Sequence, residues 1–219
     1  MSPWHSFILP VTHYFRQRRL AILREWLPEL FDDSDIQIVD LGGSRHFWAA
    51  MDVDLSRKHV TIYNISATET GHAEGPAGDI PIHIYDGMTL PLPDAAIDLI
   101  VCNSVIEHVP VGQRRALVTE MRRVARKVFL QTPARAFPIE PHFVMPVMHW
   151  LPRSVAYRLV FISPWFWLSG RDRAVAREYF YGTQLLNRAE CMGLAADSTI
   201  VPERVLGLTK SYLVFAGAA

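Results

Sequence analysis

Three scarcities narrow the reading of this chain. It has two cysteines among 219 residues, Cys102 and Cys191, far apart and without metal-ligand spacing. Neither a disulfide framework nor a metal motif is expected, and a reducing, cytoplasmic setting is the simpler expectation. The chain has no charge excess: 22 basic and 22 acidic side chains cancel. That removes the electrostatic footprint of a nucleic-acid binder. Local clusters of arginine, at Arg16, Arg18 and Arg19 and at Arg114, Arg115, Arg122, Arg123 and Arg126, read as solvated helix faces. No apolar run reaches the ~20 residues a membrane helix needs. Pro3, His5, Pro10 and His13 interrupt the N-terminal apolar residues, so no signal peptide is expected either.

What is present is an ordinary apolar fraction of 50% with 20% charged residues, enough for one α/β domain with a buried core. His13 to Leu27 carries Phe15, Ile22, Leu23, Trp26 and Leu27 at helical spacing and stops at Pro28. Ile36–Leu41, Val60–Ile65, Ile82–Tyr85, Ala96–Cys102 and Val128–Gln131 then read as five strands. The fourth is almost continuously apolar, as a strand covered on both faces should be. Gly112 to Arg126 reads as a helix, with Leu117, Val118, Met121 and Val124 on one face. Strand and helix in alternation predict a Rossmann-like, doubly wound, mainly parallel sheet with helices on both faces. From Phe137 to Tyr181 the pattern changes to an aperiodic segment rich in Pro, Trp, Phe and His. Thr183–Met192 reads as a helix stopped by Gly193, and Ser198–Val201 and Ser211–Ala216 as closing strands that bring the sheet to seven.

The polar residues of interest follow the strands. In open α/β sheets ligands bind outside the carboxyl ends of the strands. The first strand ends in Asp40-Leu41-Gly42-Gly43-Ser44, where glycine permits close backbone approach. The full three-glycine dinucleotide fingerprint is missing. Asn64, at the end of the second strand, stands where a ribose-binding residue is expected. Asp86-Gly87-Met88 follows the third strand, offering an acceptor for an amino group and an apolar surface for a ring. Asn103-Ser104 and then Glu107-His108 follow the fourth.

These segments resemble the class I S-adenosylmethionine-dependent methyltransferases, in the branch often called type 11. IVDLGG resembles motif I of that family, and DGMTLPLPDAAIDLIVCNSVIEHV resembles its most specific block. FLQTPARAFPIEPHF and GLTKSYLVFAG are similar to the fifth strand with its loop and to the last strand of a bacterial subgroup. The resemblance runs from Ile36 to Pro146, and more loosely through the C-terminal residues. It implies S-adenosyl-L-methionine as cofactor and S-adenosyl-L-homocysteine as product. It places Asp40, Gly42, Gly43 and Ser44 at the methionine end, Asn64 at the ribose, Asp86, Gly87 and Met88 at the adenine, and Asn103 and Ser104 near the transferring methyl. It also implies one methyltransferase domain: an N-terminal helical segment (1–33), a cofactor-binding core (34–135), an acceptor-side insertion (136–182) and a closing helix with strands (183–219).

A hydroxyl acceptor would be helped by a general base, and histidine suits that near neutral pH. The candidates are His142, in the Pro138-Ile139-Glu140-Pro141-His142 run, and His108, with Glu140 orienting His142 or binding the acceptor. Against this, Glu107-His108 serves equally as loop structure, and Glu140 as a surface carboxylate. The aromatic insertion, with Trp150, Phe161, Trp165, Phe166 and Trp167, reads as a cover over the core or as a pocket for an apolar or lipid-linked acceptor. Arg153 and Arg158 suit a phosphate or a membrane surface, so a peripheral membrane contact is among the expectations. The expected acceptor is a small or carrier-linked metabolite, with a hydroxyl of a sugar, lipid or secondary metabolite favoured. The rival functions are a non-catalytic binding or scaffold protein of the same fold and an NAD-dependent oxidoreductase. Oligomeric state is not legible.

Overall fold

The computed structural model describes residues 18–51, 53–66 and 75–217. A seven-stranded sheet forms its centre: β1 (Ile36–Leu41), β2 (Lys58–Asn64), β3 (Ile82–Ile84), β4 (Ile97–Asn103), β5 (Ala125–Pro133), β6 (Thr199–Val205) and β7 (Leu208–Gly217). Their spatial order is β3-β2-β1-β4-β5-β7-β6. β1 through β5 pair in parallel, and β7 joins β5 antiparallel, with Phe129 opposite Phe215. The mainly parallel, seven-stranded expectation therefore holds, with the antiparallel part confined to the β6–β7 hairpin. The order reverses between β1 and β4, and Asp40 pairs with Val101 at that switch point.

Alternation along the central strands divides two apolar layers. Val39, Leu41, Ile100 and Cys102 face a cluster with Leu117, Val118, Met121 and Val124, which lie at helical spacing on α3 (Val111–Val124). Ile38, Leu99, Val101 and Phe129 face the other way, toward Leu23 of the N-terminal helix, Leu27 just after it and Trp48 of α2 (Arg45–Ala50). The N-terminal helix, α1, is described over 18–26, and the His13–Gln17 part of the expected helix lies outside the described residues. The α-helix ends at Trp26, just before Pro28 as expected, and Pro28 opens a separate 3-10 turn.

The segment after β5 folds into three helices, α4 (Arg153–Val160), α5 (Pro164–Leu168) and α6 (Arg173–Gly182). They surround a third apolar cluster of Phe143, Met148, Ala156, Val160, Phe166, Ala176 and Phe180. Asp172 caps α6 by accepting from the amides of Ala174 and Val175. The closing helix α7 (Arg188–Leu194) starts later than its sequence suggests. Asn187 and Glu190 form a capping box that sets its start, and Gly193 lies within its last turn. Thr183 to Leu186 is left extended, and Leu186 bridges to Ala134 beside the sheet.

Candidate active site

The ends of β1 and β4 flank the switch point and show the local chemistry most clearly. Asp40 is fully buried, and its Oδ2 accepts from Trp48 Nε1 at 2.8 Å. Its Oδ1 has no hydrogen-bond partner among the described residues. Burial pushes this carboxyl up to about 7, against the lowering pull of the Trp48 hydrogen bond. The carboxylate lies over Gly43, where an added Cβ would overlap its Oδ1, Oδ2 and Cγ atoms. Gly42 has φ +68, and a Cβ there would meet Val105 at 2.6 Å. Both glycines are thus required by geometry, although the third glycine of the dinucleotide fingerprint is missing.

Asn64 is buried and donates from Nδ2 to the Gly43 carbonyl at 3.1 Å, bracing the glycine turn. Ser44 caps α2 by accepting from the Phe47 amide. Asp86 is exposed, and its Oδ1 accepts from the amides of Met88 and Thr89, each at 2.7 Å. Those two hydrogen bonds lead in holding its carboxyl below the usual range. Gly87 turns the loop with φ +87, and Met88 packs on the core. At the end of β4, Asn103 Oδ1 accepts from Arg19 of α1 at 3.2 Å. Ser104 takes a left-handed φ of +58 and is held by Gln131 through both its amide and its hydroxyl. A non-glycine residue there is strained, and such strain gathers at functional sites.

Beyond β4, the turn Ile106–His108 meets the loop that follows β5. Glu107 is fully buried. Its Oε2 accepts from Thr132 Oγ1 at 3.0 Å, and its Oε1 has no hydrogen-bond partner among the described residues. His142 places Nδ1 2.7 Å from Glu140 Oε1 and Nε2 3.7 Å from Glu107 Oε1. Burial alone would lower the pKa of this ring, but the two carboxylates outweigh it and hold it at about 9. Glu140 Oε2 accepts from the Phe143 amide at 2.6 Å, so the Glu140 side chain is fixed at both oxygens. His108 stacks on Tyr179 of α6 at 5.5 Å between ring centroids, and its ring meets that of His142 edge-on at 5.0 Å. Trp165 stacks on Tyr179 in turn, so the insertion roofs the histidine pair.

A cavity of about 250 Å³ opens beside this cluster, lined by Arg135, Glu140, Phe143, Trp150, Phe180 and Thr183 among others. It borders Glu140 and does not take in the glycine turn. Arg153 on its rim is tied to the Phe180 and Tyr181 carbonyls and lies over both rings. The structure therefore brings His108, His142, Glu140 and Glu107 into one group, with Thr132 and Thr183 as supports. Thr132 lies in the FLQTPARAFPIEPHF segment without a role assigned there, Thr183 lies in no motif, and only the fold reveals their part. His46, beside the glycine turn, is exposed.

The comparisons agree with this geometry. Residues 39–128 match the family described as a methyltransferase domain. No curated protein matches the chain. Among solved structures, it is similar to magnesium protoporphyrin IX methyltransferase from Synechocystis PCC 6803 with bound S-adenosylmethionine, at TM-score 0.55 and 11% identity, covering 92% of this chain and 79% of the other. It is also similar to a S-adenosylmethionine-dependent methyltransferase from Archaeoglobus fulgidus, at TM-score 0.52 and 10% identity, covering 91% and 93%. The N-terminal domain of EvdMO1, solved with S-adenosylhomocysteine and D-fucose, aligns at TM-score 0.52 and 16% identity, covering 93% and 83%. At such identities these likenesses concern the fold. The cofactor fits the residues present: a buried carboxylate oxygen at Asp40, unpartnered among the described residues, and a turn that only glycine can make lie at the sheet's switch point. The matched domain over residues 39–128 and the fold that carries it are those of an S-adenosylmethionine-dependent methyltransferase.

Proposed function

We propose that the methyl acceptor is a hydroxyl of a small or carrier-linked metabolite, bound beside the Glu107–His108–His142–Glu140 group. The observation that carries this reading is that group itself. Two histidines and two carboxylates converge past β4 and β5, under an aromatic roof and next to a cavity. The sulfonium of S-adenosylmethionine supplies an electrophilic methyl group. The protein's part is to hold the acceptor oxygen in line, to exclude water and to manage its proton.

Asp40, Gly42 and Gly43 would hold the methionine end, with Ser44 and Asn64 keeping the turn in shape. Asp86, Gly87 and Met88 would hold the adenine, and Asn103 and Ser104 the region of the methyl. Glu140 fixes the ring orientation of His142, and Thr183 that of His108. The two rings present a polar surface against which an acceptor hydroxyl can be held: His108 would take its proton, and His142, kept charged near neutral pH by its two carboxylates, would donate to the acceptor oxygen. The D-fucose in the EvdMO1 structure makes a sugar hydroxyl a reasonable first acceptor to try. A lipid-linked acceptor is favoured by a different observation. Trp167, Leu168 and Ile162 are 54%, 87% and 64% exposed around α5, and Arg171 lies over the Trp167 ring. Such a surface suits a peripheral membrane contact.

The deciding experiment supplies radiolabelled S-adenosylmethionine and a cell extract to the full chain and identifies the labelled product by mass spectrometry. A methyl ether supports the reading. A methylated nitrogen or carbon overturns it.

A further inference from the structure

We propose that Glu107, His108 and His142 form a binding site for a divalent transition-metal cation at the acceptor edge of the sheet. Each residue offers one ligand atom, and these atoms lie within 4.8 Å of one another. The hydrogen bonds around them decide which atoms carry lone pairs. Thr183 Oγ1 has a single proton, and it donates that proton to the Tyr179 carbonyl at 2.8 Å. In its 3.2 Å contact with His108 Nδ1 it must therefore accept, so Nδ1 carries the ring proton and Nε2 is the basic nitrogen. His142 is arranged in the same sense: Nδ1 donates to Glu140 at 2.7 Å, and Nε2 faces Glu107.

The third ligand atom is Glu107 Oε1, a fully buried carboxylate oxygen without a hydrogen-bond partner among the described residues. A buried anionic oxygen without a hydrogen bond is costly. Protonated His142 supplies a counter-charge, and an ion binding here would displace the Nε2 proton. The distance of 3.7 Å between this oxygen and His142 Nε2 is too long for a hydrogen bond. It is close to the ~3.4 Å that separates two ligands bound ~2.1 Å from one tetrahedral ion. The supports have the form of an outer shell. Glu140 holds His142, Thr183 holds His108, and Thr132 holds the second oxygen of Glu107.

Two imidazoles and one carboxylate suit Zn²⁺, Mn²⁺ or Fe²⁺ more than Mg²⁺ or Ca²⁺, which prefer all-oxygen sites. Three protein ligands leave a coordination position open, as catalytic sites do. There the ion would bind the acceptor hydroxyl and lower its pKa, so that the proton passes to solvent and not to a histidine before the oxygen attacks the methyl carbon and the sulfonium's carbon–sulfur bond breaks. This role rests on the hydroxyl reading above, whereas the binding itself does not.

The test uses the full chain, stripped with a chelator and titrated calorimetrically with Zn²⁺ and, by electron paramagnetic resonance, with Mn²⁺. The expected result is one ion per chain, with affinity at least ~10-fold lower in His108→Ala and in His142→Ala. Glu140→Gln should weaken binding by about 10–100-fold, as loss of an orienting partner does. His46→Ala should bind the ion as the unaltered chain does. Circular dichroism and binding of S-adenosylhomocysteine report that each variant is folded. Absence of stoichiometric binding, or unchanged affinity in folded His108→Ala and His142→Ala, overturns the site. A methyl ether formed at full rate by the chelated protein overturns the ion's role and leaves the hydroxyl reading standing. A methylated nitrogen or carbon with one ion bound does the reverse for the hydroxyl reading and retains the site.

Discussion

Replacing Asp40 by asparagine separates what this residue costs the fold from what it gives the ligand. Its folded carboxyl sits at about 7, against an ordinary value of 3.8. The sign follows from linkage. The folded state holds this proton more tightly than the unfolded chain, so the stabilising contribution is complete below 3.8. It is lost as the pH rises toward 7, where the buried charge must form. At 1.36 kcal/mol per pKa unit, the loss is ~4 kcal/mol at most. An asparagine side chain in its place would keep an oxygen for Trp48 and never ionise. The expected stability difference between Asp40→Asn and the unaltered chain is near zero at pH 4 and grows in favour of the variant to ~4 kcal/mol at pH 8. For a chain of this size that corresponds to about 8–16 °C in Tm. The same substitution should weaken S-adenosylhomocysteine binding at least ~10-fold, or ~1.4 kcal/mol, because the ligand's ammonium loses its buried counter-charge. Denaturant unfolding from pH 4 to 8, paired with calorimetry at pH 8, reads both effects. A variant less stable than the unaltered chain at pH 8, or one with unchanged ligand affinity, would refute the reasoning.

Three further substitutions test neighbouring parts of the site. Gly43→Ala drives a methyl group into the Asp40 carboxylate. It should cost ~1–3 kcal/mol of stability by overpacking and abolish detectable cofactor binding, whereas Gly112→Ala, whose Cβ meets nothing within 4 Å, should leave both intact. Equal melting of the two alanine variants would contradict this. Asp86→Ala removes the acceptor that closes the loop on the Met88 and Thr89 amides. Its S-adenosylhomocysteine affinity should fall about 10-fold in calorimetry, by analogy with other lost charge-assisted hydrogen bonds, and an unchanged value would remove Asp86 from the adenine region. Trp167→Ala combined with Leu168→Ala should reduce sedimentation with anionic lipid vesicles while leaving Tm within about 2 °C, since both residues are mostly exposed. Undiminished sedimentation would exclude α5 as the membrane-facing element.

The sequence by itself determined the sheet and the edge at which the site lies. Apolar alternation and β-branched runs separate the five parallel strands, and polar residues cluster after four of them, because side-chain period and strand-end chemistry are local properties. The motif block from Asp86 to His108 pointed to the cofactor through its resemblance to a known family, not through periodicity. Boundaries shifted where a cap or a tertiary pairing set them. α7 begins at the Asn187–Glu190 capping box, and β7 extends to Leu208 because β6 pairs with it. Only the tertiary structure decided the chemistry of the acceptor side. Glu107 and His108 are neighbours in sequence, but Thr132 comes from β5, His142 from the loop beyond it and Thr183 from the end of α6. Neither the pairing of His142 with two carboxylates nor the oxygens of Asp40 and Glu107 left without a partner among the described residues have a sequence signature. Burial and hydrogen-bond saturation are set by what folds against a residue, and no local pattern records them.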